Sequence, residues 1–390
     1  MAALALDGSA SVAAGPIKAC VRESGNGPCG SRSFAATVVR QQPAGILMKT
    51  VFSPRHAGHS GQLELISGAL VPGFEKPARA EIIRARVDAV KLGPVSEPES
   101  HDLSFAKRVH RDDYIDFLPQ VWPMWEASGR SGCAFPFAWP TRGLRADVRP
   151  KAIDALLGFY SFDAGAGFVA RTWEAIKSSY DTVLTAAGML KEGEGSVFAL
   201  CRPPGHHAGT AFMGGYCYIN NAAVAAQWFV DQGAARVAVL DVDYHHGNGT
   251  QEIFYARSDV AVFNLHGDPM MEFPYYLGHA DECGAGAGEG YNRNYPMPFG
   301  TGWDQWSASL DDACGQLANF GPDIVVVSLG VDTFEKDPIS QFKLTSDDYP
   351  KIGARIKALG RPTLFVMEGG YAVDEIGVNA VGVLTGFEDR

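Results

Sequence analysis

The 390-residue chain is 46% hydrophobic and 20% charged, carries a formal net charge of −11 and has a sequence pI of about 5.4. That composition can bury a large core, and its acidity argues against binding nucleic acid through phosphates while suiting small cationic ligands. Seven scattered cysteines form no Cys-x-x-Cys pair and no apolar run reaches the ~18 residues of a membrane span, so a cytoplasmic protein with reduced thiols and no membrane partner is expected.

Residues 1–47 are rich in Ala, Gly and Ser, carry Lys18, Arg22, Arg32 and Arg40, and lack periodicity. They read as a poorly ordered extension or an overcalled start ahead of Met48, a transit peptide being the less favoured alternative. A single domain is expected over 48–390, opening on the strand-like Lys49-Thr50-Val51-Phe52. Arg79–Lys91 and Trp173–Leu190 have helical periodicity. Between them, residues 119–165 combine Trp122, Trp125, Phe135, Phe137 and Trp139 with Pro, Gly and Arg, and resolve into no element. An irregular insertion of this length is usually functional, as a substrate wall or a subunit contact.

From residue 195 onward, short apolar runs alternate with helical patterns. Val197–Leu200, Val237–Leu240, Val260–Phe263, Ile324–Val327 and Thr363–Val366 read as strands of a parallel sheet covered on both faces. Asn220–Gln232, Trp306–Phe320 and Asp347–Leu359 read as the helices between them, which gives one α/β domain with right-handed crossovers.

Each strand is followed by polar residues. Leu200 leads to Arg202, His206 and His207; Leu240 to Asp241, Asp243, His245 and Asn248; Leu329 to Asp332; Met367 to Glu368 and Tyr371. Sites in open α/β sheets form beyond the carboxyl ends of the strands, so four such ends deliver these groups to one rim. On an extended backbone Asp241, Asp243 and His245 point to one face, where two carboxylates and an imidazole call for a cation. Asp332 completes a three-ligand set of the kind that holds catalytic zinc and leaves a position for water. His206 and His207 can move protons near pH 7, and Tyr371 can donate to a substrate carbonyl.

These segments resemble the zinc deacetylase family that contains histone deacetylases and bacterial amidohydrolases. The matching stretches are Arg202-Pro-Pro-Gly-His-His-Ala208, Gly214-Gly-Tyr-Cys-Tyr-Ile-Asn-Asn221, Asp241-Val-Asp-Tyr-His-His-Gly-Asn-Gly-Thr250, Leu329-Gly-Val-Asp-Thr333 and Met367-Glu-Gly-Gly-Tyr371. The resemblance implies the arginase/deacetylase α/β fold, an eight-stranded parallel sheet flanked by helices. It also implies a hydrolase that splits acetyl amides with one Zn2+ per subunit, held by Asp243, His245 and Asp332; iron(II) suits the same donors. It implies His207 as general base and acid, His206 as its neighbour held by Asp241, and Tyr371 as the oxyanion donor. Asn248 stands where nuclear histone deacetylases place an Asp, as in the amidohydrolase and polyamine branches. K+ is implied as a structural ion at Asp241, Asp243, His245, Asn264 and Leu265, and Tyr216 and Phe273 as aromatic walls of a narrow tunnel.

Within the family the chain is most similar to acetylpolyamine amidohydrolases, through Glu64 in Leu63-Glu-Leu-Ile-Ser-Gly68, the Leu329–Ser340 stretch and the insertion. That similarity implies small cationic acetylated polyamines as substrates, with Glu64 and Asp154 at the tunnel mouth and a homodimer formed through 119–165. A further acidic position of the relatives falls near Gly165, with Asp163 close by. Acetyl-lysine in peptides or proteins is the alternative substrate, and a ligand-binding pseudoenzyme is disfavoured because all the chemical groups are present.

Overall fold

In the computed structural model, which describes residues 47–66 and 68–389, the short apolar runs become strands of one sheet. All but Leu47 of the expected N-terminal extension lies outside the described residues. The strands are β1 (Lys49–Val51), β2 (Leu63–Ile66), β3 (Ala69–Pro72), β4 (Val95–Ser96), β5 (Ser196–Ala199), β6 (Val237–Asp241), β7 (Val260–Gly267), β8 (Asn292–Met297), β9 (Ile324–Leu329) and β10 (Thr363–Met367). β2 and β3 pair as an antiparallel hairpin; the other eight form a parallel sheet in the order β4-β1-β5-β10-β9-β6-β7-β8.

Side chains on a strand alternate between faces, and both faces of this sheet are apolar. Val197, Val237, Val239, Val326 and Val366 join one core with α5 (Thr172–Lys191) and α6 (Asn221–Asp231). Their neighbours Phe198, Ala238, Leu240, Val327 and Phe365 join a second core with α1 (Ala78–Ala89), α8 (Trp303–Phe320), α9 (Tyr349–Lys357) and α10 (Ile376–Phe387). Each fully buried aliphatic or Phe side chain contributes roughly 1.5–3 kcal/mol, so the two layers hold the strand ends rigidly in place. Local signals fix the helix ends. The Asn220 carboxamide accepts from the Ala223 N–H at 2.9 Å and starts α6. Gly321, at φ 63°, ends α8 in the left-handed conformation.

The five expected helices form with ends displaced by a few residues. Within the insertion two short helices, α3 (Val121–Ala127) and α4 (Ile153–Phe159), flank a stretch without regular structure; α2 (Asp112–Phe117) precedes them, and α7 (Asn248–Phe254) follows β6. The insertion is tied down by side chains: the Tyr160 hydroxyl donates to Asp113 at 2.7 Å and accepts from Arg149 at 2.8 Å, and Trp139 donates to the Ser161 hydroxyl at 3.1 Å. No helix among the described residues is long and apolar enough to cross a membrane.

Candidate active site

The loops after β5, β6, β9 and β10 meet at the carboxyl end of the sheet. Donor atoms of Asp243, His245 and Asp332 lie within 4.8 Å of one another, all buried. His245 Nδ1 is 2.9 Å from Asp332 Oδ2 and 3.4 Å from Asp243 Oδ1. The extended-backbone expectation for Asp241, Asp243 and His245 is corrected here. β6 stops at Asp241, and each Asp carboxylate accepts the N–H two residues on, Asp243 N at 3.1 Å and His245 N at 2.9 Å. These short-range turns compete with the strand ladder and replace the extended backbone after Asp241. Asp241 turns instead to His206, its Oδ2 being 3.0 Å from His206 Nδ1. Asp241 also stands in register with Asn264 on β7.

Burial and the Asp243 charge push the Asp332 carboxyl up to about 7. Two carboxylates and one imidazole, closely spaced and shielded from water, are a donor set suited to a divalent cation with an open position. Gly369 is required by this crowding, because a Cβ there would sit 2.6 Å from carboxylate oxygens of both Asp243 and Asp332.

His206 and His207 lie side by side, ring centroids 4.0 Å apart, yet their environments separate them. Burial alone would lower the His206 imidazole, but the charges of Asp243 and Asp241 outweigh it and push it up to about 10. Burial, reinforced by His206 and His245, holds His207 well below the usual histidine range. The Asn248 carboxamide oxygen sits 2.7 Å from His207 Nδ1. Gly215 packs against the same ring at φ 49°, and a Cβ there would lie 2.3 Å from His207 Cδ2.

Aromatic rings wall the space in front of these histidines. Phe273 stands edge-on to His207 at 5.2 Å and stacks on Phe162 at 5.6 Å. Tyr216 and Tyr371 have ring centroids 5.6 Å apart. Tyr216 adopts φ 67°, uncommon for a bulky residue, and its hydroxyl donates to Glu64 Oε2 at 2.5 Å. The other Glu64 oxygen accepts from Phe74 N at 2.6 Å, and burial raises this carboxyl against both hydrogen bonds. Burial also lifts Tyr371 well above the usual tyrosine range, so its phenol keeps its proton and can donate.

The structure thus brings together Glu64, His206, His207, Tyr216, Asp241, Asp243, His245, Asn248, Phe273, Asp332 and Tyr371. Asp154 is held differently: both its oxygens pair with the Arg130 guanidinium, which also lies over the Trp125 ring. Its carboxylate is engaged within the insertion. Asp163 is the acid that reaches the cluster, accepting from Gly215 N at 3.0 Å and pushed up to about 6 by burial.

Three further residues escaped sequence reasoning. Phe162 is one. The second is Arg79, whose guanidinium lies over the Tyr371 ring at 4.6 Å and donates to the Gly370 and Glu368 carbonyls at 2.5 and 2.6 Å. The third is Glu75, buried between Arg79 at 2.9 Å and Arg202 at 2.7 Å. Removing one member of such a buried charge network typically costs about 3–5 kcal/mol, because the remaining charges lose their partner. A basic residue inside an amphipathic helix ordinarily faces solvent, so no local signal marks Arg79.

The sequence profile of the histone deacetylase domain matches residues 73–386. Acetylpolyamine amidohydrolase 1 of Pseudomonas aeruginosa is 56% identical over 342 residues, covering 87% of this chain and 99% of that protein. The acetylpolyamine amidohydrolase of Mycoplana ramosa is 48% identical over 339 residues, again 87% and 99% of the two chains. The crystal structure of an acetylpolyamine aminohydrolase from Burkholderia pseudomallei superposes with a TM-score of 0.83 at 38% identity, over 87% of this chain and 98% of that one.

Proposed function

Because the chain belongs to the histone deacetylase family, a family of hydrolytic deacetylases, we propose that it removes the acetyl group from acetylated polyamines, releasing acetate and free amine. Acetylputrescine, acetylcadaverine and acetylspermidine are the substrates we expect. The observation that carries this reading is Glu64: a carboxylate bonded to the wall residue Tyr216, whose ring neighbours Tyr371. The names of the similar bacterial proteins support the same substrate class. An ammonium 4 Å from a carboxylate gains ~1 kcal/mol in bulk water and several times that where water is excluded.

Asp243, His245 and Asp332 would hold a zinc ion, which when bound supplies Lewis acidity and lowers the pKa of a water from about 15.7 to roughly 7. His207, kept neutral, takes a proton from the attacking water and passes it to the departing amine. His206, held in its charged form by Asp243 and Asp241, adds positive potential beside the developing oxyanion. The Tyr371 phenol donates to that oxyanion, an interaction stronger in the transition state than in the ground state. Phe162 and Phe273 pack the acyl end and exclude water beside His207. We also propose that the insertion joins two copies into a homodimer, supported by exposed Phe137, Leu144 and Val148.

Two variants test the chemistry. Asp332→Ala is expected to lose bound zinc and activity together, measured by metal content and steady-state kinetics on acetylputrescine. Tyr371→Phe is expected to keep its zinc and lose kcat by about 10²–10³-fold, as for removal of an oxyanion donor. Full activity in either would sink the mechanism.

A further inference from the structure

A phenol can aim at one oxygen only if the peptide that carries it cannot drift. Between β10 and α10 the chain runs through two glycines to Tyr371, a backbone free to move unless something fixes it. Its groups are taken one after another. The Gly369 N–H donates to Asp243 Oδ2 at 2.8 Å, and the Gly369 carbonyl accepts from Val331 N at 3.1 Å. The carbonyls of Glu368 and Gly370 accept from Arg79.

The tyrosine's own N–H goes to Asp337. Asp337 Oδ2 accepts from Tyr371 N at 2.6 Å and from Ala372 N at 3.2 Å, and Oδ1 accepts from Ile339 N at 3.1 Å. Asp337 is 7% exposed, and its own N–H donates to the Phe334 carbonyl at 3.0 Å. A buried carboxylate taking two successive N–H groups is among the stronger peptide anchors a protein builds, because an ionised acceptor roughly doubles a hydrogen bond. Nor is its place in the chain neutral. Asp337 lies on the same post-β9 loop as Asp332, so one segment supplies a donor to the metal cluster and the clamp on the tyrosine.

We propose that Asp337 is a positioning residue for the reaction: its carboxylate fixes the Tyr371 peptide, and through it the direction of the phenol. This rests on the reading in which Tyr371 donates to the acyl oxygen. Asp337 touches no substrate and acts through Tyr371 alone. Its removal therefore lowers kcat, leaves KM and metal content in place, and costs nothing once the phenol oxygen is gone.

The test is a double-mutant cycle in the zinc-loaded enzyme: wild type, D337A, D337N, Y371F, D337A/Y371F and D337N/Y371F, each measured for kcat, KM on acetylputrescine and zinc content. D337A is expected to lose kcat by about 10²-fold with KM within about threefold of wild type. D337N keeps an oxygen acceptor at the same point and is expected to lose about tenfold or less. Either change made on the Y371F background is expected to alter kcat by less than about twofold, since the two residues form one unit. Losses that multiply with that of Y371F, a loss confined to KM, or zinc lost along with activity would each overturn the proposal. Should D337A fail to fold, the D337N pair decides by the same criterion: a loss of kcat that vanishes on the Y371F background supports the proposal, and a loss that persists there, or no loss at all, overturns it. Full activity in Y371F would overturn the underlying reading of the tyrosine, an outcome seen in that variant alone.

Discussion

An amide oxygen can only accept, so the 2.7 Å contact from Asn248 Oδ1 to His207 Nδ1 fixes the proton on Nδ1 and leaves Nε2 as the basic nitrogen. The hydrogen bond to this neutral partner raises the imidazole but does not outweigh the burial and the His206 and His245 charges that hold His207 low. A base that must be unprotonated loses activity as pH falls through its pKa, so the acid limb of kcat/KM is expected below the usual histidine range. Asn248→Asp would place a carboxylate against Nδ1 and raise that pKa, moving the acid limb to higher pH by about one to two units. A pH–rate profile of the two enzymes checks this; an unmoved limb, or one moved to lower pH, would mean that another group sets it. At this scale much of the site was legible. His206, His207, Asp243, His245, Asp332 and Tyr371 announce themselves by residue type at consecutive strand ends. Arg79 and Phe162 do not, because each reaches the site from a distant segment and meets backbone or ring; Asp337, on the same loop as Asp332, meets only backbone N–H groups, with no spacing to mark it.

Elements were legible where hydrophobic periodicity is strong. The buried strands β5, β6, β7, β9 and β10 are continuous apolar runs, and α5, α6 and α8 follow the helical period. β8 was hidden because it is an edge strand: its sequence Asn292-Arg-Asn-Tyr-Pro-Met297 is polar and contains a proline that only an edge tolerates. α10 was hidden by its glycines, Gly377, Gly382 and Gly386, two of which let the helix pack tightly: a Cβ at Gly386 would lie 1.9 Å from the Pro350 carbonyl. The insertion is the element whose purpose matters most. Phe137 is 71% exposed and Leu144 63%, on a segment otherwise pinned by hydrogen bonds and ion pairs. Apolar side chains held rigidly in water suit a subunit contact. Sedimentation is therefore expected to give twice the chain mass, and Phe137→Asp with Leu144→Asp to give a folded monomer. A wild-type monomer at micromolar concentration would remove the insertion from this role.

At the scale of the whole molecule, the sheet gathers acid, imidazole and phenol at one end, and the chain's net charge of −11 gives it a long-range field that favours cations. General acidity would draw a polyamine near but cannot select among amides; in the proposed function selection falls to the buried Glu64 beside Tyr216. The proposal for Glu64 comes only through family resemblance, because a single Glu in Leu63–Gly68 carries no local signature; the same holds for Asp154, whose partner Arg130 lies 24 residues away. The most direct measurement compares kcat/KM on N-acetylputrescine with that on N-pentylacetamide, which replaces the ammonium by a methyl group of similar size, in the wild type and in Glu64→Gln. The account predicts a preference for the charged amide of at least about tenfold in the wild type, the effect of roughly 1.4 kcal/mol, largely lost in Glu64→Gln. Equal rates on the two amides in the wild type, or a preference untouched by Glu64→Gln, would contradict it.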